Sequence, residues 1–458
     1  MFCGRTKSVM WLFVGALAMA LVAQQAQAEI EFGIPEPMQA PFNEGGGYAY
    51  PWLTGDDLTM YFGSTAPGSA GGSDISYSTR SSIGATWSTP INLGETINTE
   101  LSETFPSMTA DRLELYFQRT SDPFTHADGE IYVSKRAAVT DPWGLPETLE
   151  LNSDVRDASP HISSDGLTLY FDSTRPAPDV DYEFNTWVAS RSSRSEPFGE
   201  PERFFAGLGF VTDDGLTHLF STGPVGAGSL AVPNYGTDDI YMRTRESITA
   251  EFGPVTHLGA PVNSSGLDCC VALGISDSTL YLTSSRPGAP TDGLLGFVNM
   301  WQAPIAEAVS VDVKPGSEPT PINLNSKGVL PVAILSTEEF DARQVDVETL
   351  LFGDPLLIAD GKSPVSALRG KFEDVDDDGL DDLTLKFSMR ELLNNEVLGI
   401  DTVEGYLAGQ TVEGVQFAGR DLVQIVGKGP TIPEPASLLL MLTGLTALAL
   451  NSKKSFTR

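Results

Sequence analysis

Cysteine is nearly missing from this 458-residue chain, which has three: Cys3 near the start and the adjacent pair Cys269 and Cys270. That excludes a disulfide framework. Neighbouring cysteines close only a strained bridge, so the pair is expected as two buried thiols within a strand rather than a redox or metal site. Histidine is as scarce. His126, His161, His218 and His257 stand singly without ligand spacing, which argues against zinc. Cations are few, with 28 Lys and Arg against 61 Asp and Glu and a net charge of −33, so nucleic acid and anionic lipid are poor partners. No Gly-x-Ser-x-Gly elbow, phosphate loop or His-Glu-x-x-His is present. The apolar runs at the two ends, 9–22 and 438–450, are both shorter than the roughly 20 residues of a full membrane span.

What is there begins with those ends. Arg5 and Lys7 precede the first run, and Ala26-Gln27-Ala28 has the small-x-small form that a signal peptidase needs, so residues 1–28 read as an export signal and the mature chain begins near Glu29. The second run is expected as a short apolar helix, a marginal membrane stop, between Pro433-Glu434-Pro435 and the basic Lys453, Lys454 and Arg458. That order resembles the PEP-CTERM sorting signal. The resemblance implies processing by an exosortase-type enzyme, transient membrane attachment through residues 431–458, and association with exported polysaccharide at the cell envelope or matrix. An ordinary C-terminal anchor is the plainer alternative, and either one places the body outside the cytoplasm.

Residues 29–305 repeat at a spacing of about 55 residues. Each unit has an Asp-containing turn followed by an aromatic strand, at 58–62, 113–117, 167–171, 216–220 and 279–282. Asp-Gly at 165–166 and 214–215 suits a tight hairpin. Asp56-Asp57, Asp111-Arg112 and Asp277-Ser278 are weaker versions of it, so these aspartates read as turn formers. A third strand follows at 74–78, 130–134, 185–189, 239–243 and 299–303, and then an edge element with an aromatic residue and proline, as in Trp87, Pro90 and Leu93. The fifth unit lacks that element. An unpaired copy stands at the mature N-terminus: Phe32, Pro35, Met38, Phe42 and Asn43 match the offsets of Trp87, Pro90, Leu93, Ile97 and Asn98. The expectation is an all-β, five-bladed propeller closed by the N-terminal strand, which removes the open edge of a linear array.

The stretch 159–174, Ser-Pro-His-Ile-Ser-Ser-Asp-Gly-Leu-Thr-Leu-Tyr-Phe-Asp-Ser-Thr, resembles the propeller repeats of TolB-type periplasmic proteins. The resemblance implies the fold and no single activity, because such propellers dock proteins, bind sugars or act as enzymes. The long loops between second and third strands mark one candidate binding face. They carry Asp122, His126, Asp128, Arg175, Asp179, Asp181, Glu183, Arg286 and Asp292. Trp87, Trp143, Trp187 and Trp301 recur at repeat positions and read as blade packing rather than sugar platforms.

Five-bladed propellers also serve arabinanase and xylosidase families, which use paired carboxylates. The acids for such an alternative are Glu103, Asp157 and Asp268, just ahead of inner strands and able to point at a central channel. No motif of those families is legible, and the three sites are repeat-equivalent. The leading expectation is therefore a non-enzymatic binding or structural module with an exopolysaccharide or envelope-protein ligand. A glycoside hydrolase and a TolB-like docking platform are the alternatives.

From Val309 the repeats stop. Residues 306–430 are expected as a second domain, in which about Val309 to Val426 resembles an uncharacterised β-rich module of secreted bacterial proteins, carried here by Asp312-Val313-Lys314-Pro315-Gly316-Ser317, the run 328–335 and Glu373-Asp374-Val375. Alternation at Leu383, Leu385 and Phe387 fits a small sandwich. Its chemical signal is Asp374, Asp376, Asp378 and Asp382 at positions 1, 3, 5 and 9, with Gly379 at 6 and the Leu380 carbonyl at 7. That is the spacing of an EF-hand-type Ca2+ loop. No glutamate stands at position 12, so a variant calcium loop between strands is expected.

Overall fold

The computed structural model describes residues 30–43, 46–121, 128–176, 185–212, 214–223, 232–274, 276, 278–288, 298–317 and 319–427. The expected export signal and the sorting tail with Pro433, Glu434 and Pro435 lie outside the described residues. Among those described, no helix is long and apolar enough to cross a membrane. Among the described residues the architecture is mostly β, with short α-helices at Pro355–Ala359 and Met389–Asn394.

Four four-stranded antiparallel sheets follow one another along the chain, each ordered as in sequence. Their innermost strands are Tyr48–Leu53, Ser102–Met108, Asp157–Ile162 and Leu208–Val211. A fifth starts with Asp268–Gly274, Thr279–Ser284 and Asn299–Ala308. The fifth sheet takes its outer strand from the start of the chain, where Glu36 pairs with Gln302 and Pro37 with Trp301. Innermost strands pack on one another from the first sheet to the fourth, and Asp268–Gly274 packs on Thr217–Thr222 of the fourth sheet and on Tyr48–Leu53 of the first.

Four of the five turns expected from aspartate are present, and Asp277 of the fifth lies outside the described residues. Thr109 Oγ1 donates to Asp111 Oδ1 at 2.7 Å while Leu113 N donates to the same oxygen at 3.1 Å, and Asp165 and Asp214 repeat the arrangement. The residue after each aspartate is left-handed: Asp57 at φ 53°, Arg112 at 59°, Gly166 at 76° and Gly215 at 73°. Glycine adopts that conformation at least cost, which is why the two Asp-Gly pairs were the clearest signals.

An asparagine clamp recurs between linker and third strand. Asn98 takes the Ile75 N–H at 2.8 Å and donates to its carbonyl at 3.0 Å; Asn152 does so with Ile131 and Asn263 with Ile240. Asn43 makes the same pair of bonds with Met300, at 3.2 and 2.9 Å. Met38, Phe42, Tyr48, Phe62, Tyr281 and Met300 form the apolar cluster at that junction.

Asn299–Ala308 runs past residue 305 into the second unit, where Glu307 and Ala308 pair in parallel with Phe417 and Ala418. The sheet continues through Gln416–Leu422, Glu404–Thr411, Val345–Gly353 and Val365–Ser366. A second sheet of Val311–Val313, Val329–Ile334, Asp382–Ser388 and Arg369–Glu373 faces it across a core that includes Val332, Phe352, Leu385, Phe387, Tyr406 and Phe417. Both Arg420 nitrogens Nε and Nη2 hold the Glu31 carboxylate, at 2.9 and 2.7 Å, and the Tyr406 hydroxyl donates to the Phe32 carbonyl. The N-terminal segment therefore touches both units.

One expectation is corrected. Cys269 and Cys270 are joined in a disulfide rather than standing as two thiols. Successive side chains of a regular strand point to opposite faces. Here the register breaks between Cys269 and Ala272 and Cys270 is left-handed at φ 56°, which brings both sulfurs to one side.

Candidate functional site

The innermost strands share an irregularity that composition does not announce. Registers shift between Ala49 and Trp52, Thr104 and Ser107, Ala158 and His161, and Cys269 and Ala272. At each bulge a non-glycine residue is left-handed: Tyr50 at φ 60°, Phe105 at 53°, Ser159 at 49° and Cys270 at 56°. Such residues cost free energy and persist where packing enforces them. The bulges re-aim side chains toward the middle of the molecule, where residues from all five innermost strands line a cavity of about 170 Å3. Leu208–Val211 has no bulge and contributes Gly209 and Phe210 instead.

Aromatic rings furnish much of the wall. Tyr50 stacks on Phe105 at 3.9 Å between centroids, and His161 stacks on Phe210 at 4.3 Å. Burial pushes His161 down to about 4, so the imidazole is neutral, and pushes the Tyr50 phenol up to about 12 against the opposing charge of Arg156. Asp172 is the polar centre. Desolvation lifts its carboxyl to about 7 despite Arg156 and the Thr186 hydroxyl, which donates to Oδ1 at 3.3 Å. Near neutral pH this one carboxyl is part acid and part carboxylate, able to donate to or accept from a ligand hydroxyl. The volume is below the roughly 300 to 1,000 Å3 of drug-sized sites and suits one small ring.

Sequence reasoning missed Tyr50, Phe105, Arg156 and Asp172. A signal existed for Asp172: the residue after the recurring aromatic or leucine of each second strand is Gly63, Gln118, Asp172, Ser221 and Thr283, so one repeat carries a charge where four do not.

None of the three candidate catalytic carboxylates lines this cavity. Glu103, Asp157 and Asp268 are buried at the entry to their strands, each tying down its own linker. Glu103 accepts from Thr99 N at 3.0 Å, Thr99 Oγ1 at 2.6 Å and Arg119 Nε at 2.7 Å. Asp157 Oδ2 accepts from Ser153 N and Oγ at 2.6 and 2.7 Å and from Arg175 Nη2 at 3.1 Å, while its Oδ1 is buried without a partner. Asp268 accepts from Ser264 N and Oγ, Ser284 Oγ and Arg286 Nη2, all at 2.6–2.7 Å. Arg175 and Arg286, read from sequence as loop candidates, are thus turned inward. Asp128 caps its own loop by accepting from the Thr120 and Ser121 hydroxyls. Asp122, His126, Asp179, Asp181, Glu183 and Asp292 lie outside the described residues. Guanidinium groups of Arg80 and Arg136 sit over Trp87 and Trp143 at 4.4 and 4.0 Å, which is packing within the sheets.

The acidic loop of the second unit gathers Asp374, Asp376 and Asp382, with one carboxylate oxygen from each within 4.8 Å of the others. Calcium–oxygen distances of about 2.3–2.6 Å around a shared point give that spread, so the donor set fits Ca2+. Asp382 is buried, and its two oxygens accept from Ser336 N and Val375 N at 2.8 Å each. Asp374 accepts from Asp378 N and Gly379 N, which folds the loop over. Gly379 is left-handed at φ 91°. Asp378 is outside the three-residue group and accepts from Leu380 N at 2.7 Å. Asp376 is held above the usual carboxylate range, by desolvation first and then by Asp378, Asp382 and Asp374, against the opposing Asp378 N–H.

No family model matches the chain, and no curated protein does. Among solved structures, the GH43_1 enzyme from Xanthomonas citri complexed with xylotriose is 16% identical, with 61% of this chain and 91% of that one covered and a TM-score of 0.37. TolB from Acinetobacter baumannii is 14% identical over 63% of this chain and 67% of its own, with a TM-score of 0.34. The α-L-arabinofuranosidase PaAbf62A from Podospora anserina, complexed with cellotriose, is 12% identical over 59% and 96%, with a TM-score of 0.35.

Proposed function

We propose that this chain is an exported, non-enzymatic binding protein of the cell envelope or matrix. Residues 29–305 form a five-bladed propeller closed by the N-terminal segment, 306–430 a sandwich that holds Ca2+ through Asp374, Asp376 and Asp382, and 431–458 a sorting tail cut by an exosortase-type enzyme. The observation that carries the reading is the central cavity, where five strands converge on stacked rings and one carboxyl of raised pKa. Such a cavity takes a small neutral ring, such as a terminal sugar of an exopolysaccharide, through aromatic contact and the Asp172 carboxyl. The carboxylates that would make an enzyme are instead bonded to their own linkers.

One observation favours a glycoside hydrolase as second reading, because a carboxyl near 7 suits a general acid. Hydrolysis needs a second carboxyl. Among the described residues lining the cavity the other acid is Asp57, whose Oδ2 accepts from Ser276 N at 2.5 Å.

The test is reducing-end release from a polysaccharide panel by the processed protein, residues 29–430, with calcium present. No release is expected from any substrate. Release abolished by Asp172→Asn, Asp157→Asn or Glu103→Gln would replace binding with hydrolysis.

A further inference from the structure

A larger groove lies away from the central cavity, at the junction of the two units, with a volume of about 630 Å3. Its floor includes strands of the sheet that runs unbroken from Asn299–Ala308 into Gln416–Leu422 and Glu404–Thr411. Opposite stands the first sheet's rim, where Arg80 lies over Trp87. Three glutamines enter from the floor. Gln302 lies on the shared strand, and Gln410 and Gln416 face each other across the next pair. All three are half-buried, and none of their side-chain amides has a hydrogen-bond partner among the described residues. The contrast is with the buried carboxylates and asparagines of the sheets, which are bonded within the fold.

We propose that this groove binds a neutral polysaccharide chain. A glutamine amide offers donor and acceptor side by side, which matches the paired hydroxyls of a sugar ring. The groove has one acid, Glu36, and one base, Arg80, so it offers no charge-based recognition, and the strongly acidic chain repels a polyanion. A peptide adding as a strand needs an open sheet edge. Here Glu404–Thr411 is paired on both sides, and the outer strand at the groove, Glu36–Pro37, is two residues long and includes a proline, too short a ladder for an added strand. The volume lies within the range of small-molecule sites, enough for a few sugar units with the chain continuing into solvent.

The experiment is calorimetric titration of the processed protein with neutral hexasaccharides of β-1,4-glucose, β-1,4-xylose, α-1,4-glucose and β-1,4-mannose. At least one should bind, and Gln410→Ala with Gln416→Ala should weaken it about tenfold through the loss of two amide bonds. These positions are half-buried on strand surfaces, so the double variant should keep the parent melting temperature. Titration in the Asp172→Asn background, where the polar centre of the central cavity is removed, separates the two sites: binding there, and its loss with the glutamine pair, belongs to the groove. Absence of binding by all four hexasaccharides, or binding in the Asp172→Asn background that survives the glutamine double variant in folded form, overturns the proposal.

Discussion

Asp172 makes stability depend on pH in a direction opposite to that of most carboxylates. Its folded pKa is about 7 against an ordinary 3.8, so the folded state binds its proton more tightly than the unfolded one. Its contribution is therefore fully present below about pH 4 and is lost as pH rises toward 7, by at most about 4 kcal/mol. Asp172→Asn should remove that slope. Urea unfolding at pH 5 and pH 7.5 checks this: the variant's gain over the parent should be larger at pH 7.5. At Asn43 two buried backbone groups of Met300 depend on one side chain, so Asn43→Ala should cost about 2 kcal/mol, similar to Asn98→Ala in the first sheet. Matching losses in urea unfolding would mark the two clamps as equivalent. Residues such as Asn43 were legible because they keep a fixed offset from an aromatic and a proline. Tyr50 and Phe105 were not, because nothing in a tyrosine or phenylalanine announces a left-handed bulge.

The second strands illustrate legibility at the level of elements. They were readable because an aspartate turn, a left-handed residue and an aromatic run recur together, and the observed Thr168–Ser173 and Thr217–Thr222 fall where the pattern put them. Edge strands were readable only as aromatic and proline punctuation; several are two residues long, as in Ile91–Asn92 and Glu147–Thr148, too short to show an alternation. The inner carboxylates, read as just ahead of the inner strands, are the first or second residue of each strand, and their partners were hidden because Arg119, Arg175 and Arg286 lie 16 to 18 residues away. For the acidic loop, millimolar calcium should raise the melting temperature of the processed protein by several degrees, and Asp374→Asn with Asp376→Asn should abolish the shift. Asp382→Asn should lower the melting temperature even without calcium, because its oxygens accept from Ser336 N and Val375 N. Differential scanning calorimetry with and without chelator separates the two effects.

For the whole molecule, the N-terminal segment is the joint. Deleting residues 29–43 removes the outer strand of the fifth sheet, the Asn43 clamp and the Glu31–Arg420 pair together. The expected outcome is an exposed strand edge, with self-association in light scattering and a broad, weakly cooperative melt. Glu31→Gln alone should leave the light scattering of the parent unchanged and lower stability by about 1–2 kcal/mol, since Arg420 keeps Glu404 at 3.2 Å. Sequence repetition exposed this joint as a spare edge element. It could not reveal that the second unit grips the same segment, because Tyr406 and Arg420 carry no pattern that points 374 and 389 residues back.

The order of synthesis gives that joint a further meaning. Glu31 precedes Arg420 by 389 residues, so at about 5–20 residues per second it waits roughly 20 to 80 s on the ribosome for its partner to be made. Its partners in the fifth sheet, Met300 to Gln302, are made earlier, so within that interval the segment can pair with the sheet but not yet with the second unit. A chain delivered N-terminus first therefore lacks this clasp until nearly all of it has emerged, and the two units lock onto their shared segment only where the last strands arrive.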